Sequence, residues 1–181
     1  MSQDEQLIQL CKKNDRQAQK TLFTKYAPKM MGVCLRYSKN YDDAQDILQE
    51  GFIKIFKKID TFEGKSSLAT WMSRIFVHTA INSFRKAHLK HVHVDITDEY
   101  YADKLSAKED DSEQSSDGLE QSAVLEAIQE LPDIYRVILN MYAIDGLGHN
   151  QIAKELEVSV GTSKSRLSRA RVLLKERLNK K

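Results

Sequence analysis

Glycine, proline and cysteine are all scarce in this sequence, at seven, two and two of 181 residues. So few breakers, with hardly any alternating apolar stretches, point away from turn-rich β folds and toward an almost wholly helical chain. Cys11 and Cys34 stand far apart without the close spacing of a zinc or redox motif, so buried free thiols are expected. No apolar run approaches the roughly 20 residues that a membrane-spanning helix needs. The N-terminal MSQDEQLIQL has no basic region before an apolar core, so no signal peptide is expected and the chain is read as cytoplasmic. Glycine-rich phosphate loops, nucleophile elbows and paired catalytic acids are missing. His88, His91 and His93 are the one cluster of metal-ligand types, and they lack the spacing of a site. Neither an enzyme nor a cofactor or metal is expected.

What the sequence has is charge, placed unevenly. The formal net charge is only +2, yet Lys164–Lys181 holds eight Lys or Arg against Glu176 alone. Between Asp95 and Glu120 the balance reverses, with ten acids against Lys104 and Lys108. That stretch has no sustained apolar period and reads as a flexible acidic linker. The expected fold is therefore all-α: two small helical domains, residues 1–92 and 122–181, joined by the linker 93–121, the second a helix-turn-helix domain.

The helix-turn-helix is read from His149 to Leu178. Ile152, Ala153 and Leu156 face a core, Glu157-Val158-Ser159 form the turn, and Ser159 caps the next helix. On that helix Val160, Leu167, Ala170, Leu174 and Leu178 fall on one stripe, with Lys164, Ser165, Ser168 and Arg169 opposite. A basic, hydroxyl-rich outer face on a second helix is the pattern of an element that reads a DNA groove.

Upstream, Asp4–Lys13 suggests a short helix burying Leu7, Leu10 and Cys11. A longer helix from Arg16 carries Leu22, Phe23, Tyr26, Met30, Val33, Cys34 and Tyr37, with Pro28 expected to kink or break it. A third, from about Asp42 to Ile59 and capped by Asp42 or Asp43, buries Ala44, Ile47, Leu48, Phe52, Ile55, Phe56 and Ile59. Its outer side shows Asp43, Asp46, Gln49 and Glu50, then Lys54, Lys57 and Lys58, an order that suits the helix dipole of a solvent face. The polar loop Phe62–Ser67 follows, then a helix on which Trp71, Arg74, His78, Asn82 and Arg85 share a face. Such a face suits phosphate contacts and unstacked bases.

These pieces, DDAQDILQEGFIKIF, IDTFEGKSSLATWMSRIFVHTAINSFRK, the acidic linker and LPDIYRVILNMYAIDGLGHNQIAKELEVSVGTSKSRLSRARVLLKERL, in this order resemble the extracytoplasmic-function subfamily of bacterial RNA polymerase sigma factors. The resemblance implies an alternative sigma factor that binds core RNA polymerase and directs it to promoters. Its partners would be the clamp helices and flap of core polymerase, promoter DNA as duplex and as non-template single strand, and an anti-sigma factor. Asp43, Asp46, Gln49 and Glu50 would dock on polymerase. Phe62, Lys65, Ser66, Trp71, Arg74, His78, Asn82 and Arg85 would meet the minus-ten element. Thr162, Ser163, Lys164, Ser165, Arg166, Ser168, Arg169 and Arg171 would read the minus-thirty-five element.

Overall fold

The computed structural model describes residues 3–89 and 121–179. The acidic stretch, His91 and His93 lie outside the described residues, as does the His88 side chain. Among the described residues every regular element is helical, and the chain divides into two compact units, Met1–Ser83 and Phe84–Lys181.

The first unit is built from α1 (Gln3–Lys12), α2 (Arg16–Tyr37), α3 (Tyr41–Lys58), a 3-10 turn (Ile59–Thr61) and α4 (Leu68–Leu89), the last crossing the division. In α1 the buried pair is Ile8 and Cys11, whereas Leu10, expected inside, is 46% exposed. Ile8 and Cys11 lie one turn apart on one face, and Leu10 falls off that face. Asn14 turns the chain at φ 58°, and Asp15 caps α2 by accepting the Ala18 amide at 2.8 Å. Proline does not end α2, which continues through Pro28 to Tyr37. Asp4 ties α1 to α2 through Lys25 (2.5 Å) and the Tyr26 hydroxyl (3.0 Å), and the Lys25 bond holds its carboxyl below the usual range. Cys11 and Cys34 are fully buried free thiols, and burial pushes Cys34 up to about 12.

The cap of α3 is Asn40, not Asp42 or Asp43: its side chain accepts the Asp43 amide at 2.8 Å. Asn40 has the extended backbone that a cap requires, whereas the two acids already lie in the first turn. Ala44, Ile47, Leu48, Phe52 and Ile55 are buried as their spacing requires, and so is Gly51. A Cβ at Gly51 would stand 2.1 Å from Phe76 Cε1. Here α3 presses on the fully buried Phe76 of α4, and the Phe52 and Phe76 rings meet edge to face at 5.4 Å.

The second unit contains α5 (Gln121–Gln129), α6 (Asp133–Leu139) running into a π turn (Asn140–Ile144), α7 (His149–Leu156) and α8 (Val160–Leu178). Arg136, buried at 2% exposure, donates to the carbonyls of Gln129 and Leu131 at 2.8 Å each and pairs with Asp133. A guanidinium thus satisfies the carbonyls left over at the end of α5, which is why its burial is tolerated. Glu157 takes a left-handed φ of 56° to end α7, and Ser159 caps α8 by accepting the Thr162 amide at 2.9 Å.

Two expectations for α8 are corrected. Val160 is 38% exposed, while Ser163 is fully buried and joins Leu167 and Ala170 on the inner stripe. Val160 opens the helix beyond the reach of the core, and Ser163 enters because it finds a partner. Its Oγ lies 2.9 Å from His149 Nδ1, a hydrogen bond that offsets the cost of burying a hydroxyl. The His149 ring stacks on Tyr142 at 4.8 Å. Burial, then Lys164 and Arg171, hold its imidazole below the ordinary value.

Two tests follow from this packing. Gly51→Ala forces a methyl into the Phe76 ring and should destabilise the protein by about 1–3 kcal/mol in thermal or urea unfolding. Adding Phe76→Leu should recover part of that loss; simple additivity would show that the two sites do not clash. The second test concerns pH. Because the folded state favours neutral His149, this group's contribution is complete above its unfolded pKa of about 6.5 and declines as pH falls through the lower folded value. Between pH 7.5 and 5.5 the wild-type Tm should therefore drop more than that of His149→Gln. Parallel pH profiles would show that His149 is not the group responsible.

Candidate polymerase and promoter-DNA interface

On α3 the side opposite the core is open to solvent. Asp43, Asp46 and Gln49 are exposed, and Glu50, half-buried, pairs with Lys54 at 2.6 Å. At the C-terminal edge of this set stands Ile53, 54% exposed, one turn beyond Gln49 and two beyond Asp46. A large exposed aliphatic residue between Gln49 and Glu50 on one side and Lys54 and Lys57 on the other has the make-up of a protein-binding patch, an apolar contact inside a polar rim. Pattern reading passed over Ile53 because it belongs to neither the apolar stripe nor the charged set.

The loop after α3 is held at both ends. Phe62 begins it, half-buried, with its ring 5.3 Å from that of Trp71 in the first turn of α4. Gly64 carries the turn at φ 74°, a conformation that glycine adopts without strain. Lys65 is exposed and pairs with Glu63 beside it, while the half-buried Ser66 reaches the Ser67 carbonyl at 3.4 Å. Ser67 caps α4 through the Thr70 amide at 3.1 Å. Along α4 the buried residues Leu68, Met72, Phe76, Val77, Thr79 and Ala80 define the inner side. Arg74, His78 and Asn82 are exposed, and Trp71 and Arg85 are half-buried, so the structure brings these five to the open side of one helix. Trp71 and Phe62 offer stacking surface, and the rest of the face offers donors for phosphate or base edges.

The outer face of α8 gathers Lys164, Ser165, Ser168 and Arg171, all exposed, with Thr162, Arg166 and Arg169 half-buried at its margins. Ser163 is the residue that this face does not include, being turned inward to His149. The Arg171 guanidinium lies over the Tyr142 ring at 5.5 Å, which steadies a long cation at the edge of the face. Ser165 donates to the Thr162 carbonyl at 3.1 Å, and Thr162 and Ser159 share a hydrogen bond at 2.8 Å. These bonds hold the first turn of α8, the part that a major groove admits most deeply. Among the described residues no cluster of His, Cys, Asp or Glu could hold a metal ion, and no helix is long and apolar enough to cross a membrane.

Comparison with known proteins agrees with this division. Sigma-70 region 2 matches residues 22–89, and Sigma-70 region 4 matches residues 121–174. The chain is 32% identical to the RNA polymerase sigma-H factor of Pseudomonas aeruginosa over 93% of its own length and 90% of that protein's. It is 31% identical to the ECF RNA polymerase sigma-E factor of Haemophilus influenzae, over 97% and 95% of the two chains. Among solved structures, the sigma factor RpoE of Bartonella quintana, crystallised with the anti-sigma factor NepR, shares the fold. Its TM-score is 0.51 at 24% identity, covering 88% of this chain and 96% of that one. Matches to sigma regions 2 and 4 in that order, and full-length likeness to sigma-E and sigma-H factors, place the chain in the extracytoplasmic-function group of sigma-70 factors, the DNA-binding initiation factors that direct RNA polymerase to promoters.

Proposed function

We propose that this alternative sigma factor divides promoter recognition between residues 1–92, acting as sigma domain two, and residues 122–181, acting as sigma domain four. The observation that carries the reading is the exposure of three chemically distinct helix faces that the two cores leave unused. In this reading Asp43, Asp46, Gln49 and Glu50, with Ile53 one turn beyond, dock on the clamp helices of core polymerase. Phe62, Lys65, Ser66, Trp71, Arg74, His78, Asn82 and Arg85 line the path of the minus-ten non-template strand and help to open it. Thr162, Lys164, Ser165, Arg166, Ser168, Arg169 and Arg171 meet the minus-thirty-five duplex while domain four rests on the polymerase flap.

No covalent chemistry is needed for any of these steps. Bases that have transiently unstacked are captured on aromatic surface, which repays an unpairing cost of a few kcal/mol. The chain acts as a binding factor in the cytoplasm, not as an enzyme, and needs no cofactor. An anti-sigma factor is the expected negative partner, a reading supported by the Bartonella quintana sigma factor held by its own.

Permanganate footprinting of promoter fragments should show unpaired thymines only when both this protein and core polymerase are present. Bubbles with core alone, or duplex protection without opening, would sink the assignment. Ile53→Asp should weaken core binding by roughly tenfold or more in a competition assay without lowering Tm, as expected for an exposed apolar anchor in an interface. Arg169→Ala should cost about 1–3 kcal/mol at its preferred base, and Lys164→Ala should lower the slope of log affinity against log salt by about one if it contacts phosphate. Both are measured on holoenzyme; a uniform loss across all promoter sequences for Arg169→Ala would move that residue from base to backbone contact.

A further inference from the structure

Lys12 is the last residue of α1, and its ammonium reaches the far end of α3. Its Nζ donates to the Phe62 carbonyl at 3.2 Å and to the Asp60 carbonyl at 3.4 Å. These carbonyls lie where the helix and its 3-10 turn have run out of amide donors. The Phe62 amide still closes that turn onto Ile59 at 3.1 Å, while its carbonyl points beyond it. A cation is favoured at such a terminus, since the helix dipole is negative there. Lys12 is half-buried, so its ammonium is less free to wander than that of a surface lysine.

The Phe62 peptide is the hinge at which the loop to Ser67 begins. Fixing its plane sets both the direction in which the chain leaves and the tilt of the Phe62 ring, 58° to Trp71. At its other end the loop is fixed by α4 itself, where Ser67 accepts the Thr70 amide through its hydroxyl and the Trp71 amide through its carbonyl, each at 3.1 Å. Among the described residues, the anchor of the Phe62 carbonyl comes from outside α4. A residue fifty positions earlier supplies it, from a helix that precedes the residues matched by Sigma-70 region 2.

We infer that Lys12 is a positioning residue for promoter opening: it clamps the Phe62 carbonyl so that Phe62 and Trp71 stand ready before the strand arrives. The inference rests on the proposed role of the Phe62–Ser67 loop in strand capture. Without the clamp the loop samples other departures, and the ordering cost falls on the opening step instead of on folding. Docking on polymerase, made by the opposite side of α3, is left as it was.

The test uses holoenzyme assembled from the full chain and core polymerase, with Lys12→Met, Lys12→Arg, Phe62→Ala and Trp71→Ala. Each is scored for core affinity by competition and for the rate of permanganate-reactive bubble formation. Lys12→Met should bind core like wild type yet open the promoter about three- to tenfold more slowly, the size expected from one lost hydrogen-bonded anchor. Lys12→Arg, which can still donate to both carbonyls, should stay near the wild-type rate. If Phe62→Ala slows opening and Lys12→Met does not, the clamp is overturned while the loop keeps its role. If neither Phe62→Ala nor Trp71→Ala slows opening, the loop reading fails and the inference falls with it. A Lys12→Met variant that loses core affinity in step with opening would show a general structural role and overturn the proposal as well.

Discussion

The close approach of α3 to α4 at Gly51 is the constraint on which the first unit depends. With Phe76 lying where a Cβ would otherwise be, the two helices can adopt this spacing only if position 51 has no side chain. That contact fixes the rotation of α3 about its axis. Once Ala44, Ile47, Leu48, Phe52 and Ile55 are turned inward, Asp46, Gln49 and Ile53 have no choice but to face outward. The same contact fixes α4, whose polar side then lies open from Trp71 to Asn82. One packing event thus exposes an acid- and amide-rich face on one helix and an aromatic and basic face on the next, the two faces proposed above to meet polymerase and the minus-ten strand. This is economical, because interiors at crystalline density transmit such a constraint with little slack.

The second unit solves the same problem with polar atoms. A helix-turn-helix needs its second helix held rigidly while one side stays polar for DNA. Leu167 and Ala170 of α8 are buried, as are Ile152 and Ala153 of α7, and α8 packs on both α6 and α7. The Ser163–His149 hydrogen bond adds direction where a methyl contact would add only area. Tyr142 extends the arrangement outward, stacking on His149 and carrying Arg171 over its ring. The basic face is therefore tied to the core by a chain of contacts running from buried serine to exposed arginine.

Much of this was legible in the sequence. Periodicity placed the helices, the turn at Glu157–Ser159 and most of the buried stripes, because an amphipathic helix must repeat its apolar residues at its own pitch. The misses share a cause: each depends on a partner outside the residue's own helix. Ser163 is polar by type and buried by virtue of His149, fourteen residues away. Arg136 is charged by type and buried because the end of α5 offers it carbonyls. Gly51 matters for the atom it lacks, and nothing local announces Phe76 above it. Leu10 and Ile8 exchange places because two aliphatic residues on a short helix are equally apolar by type, and only the neighbouring helices decide which is buried. Ile53 is the converse, a core-type residue whose 54% exposure makes it informative only once the core is known. The outer faces themselves, and a nucleic-acid role for those of α4 and α8, followed from residue type and spacing, whereas polymerase docking and the assignment to particular promoter elements came through family resemblance.

The two units also explain why one chain should carry both kinds of DNA contact. Duplex reading asks for a rigid helix with forked donors, and strand capture asks for aromatic surface beside a held loop; the two geometries cannot occupy one site. On a tether, each weak contact raises the effective concentration of the other, but only when an outside body sets their separation to match the promoter. In the proposed reading polymerase is that body, holding residues 1–92 through α3 and residues 122–181 through its flap. The charges follow the same logic. With a net of only +2 on the whole chain, and six Lys or Arg against Glu176 alone within α8, positive charge is concentrated on the helix proposed to read DNA. A factor that bound DNA strongly along its whole surface would be held by the chromosome before it met polymerase, so modest overall charge keeps selectivity with the assembled holoenzyme.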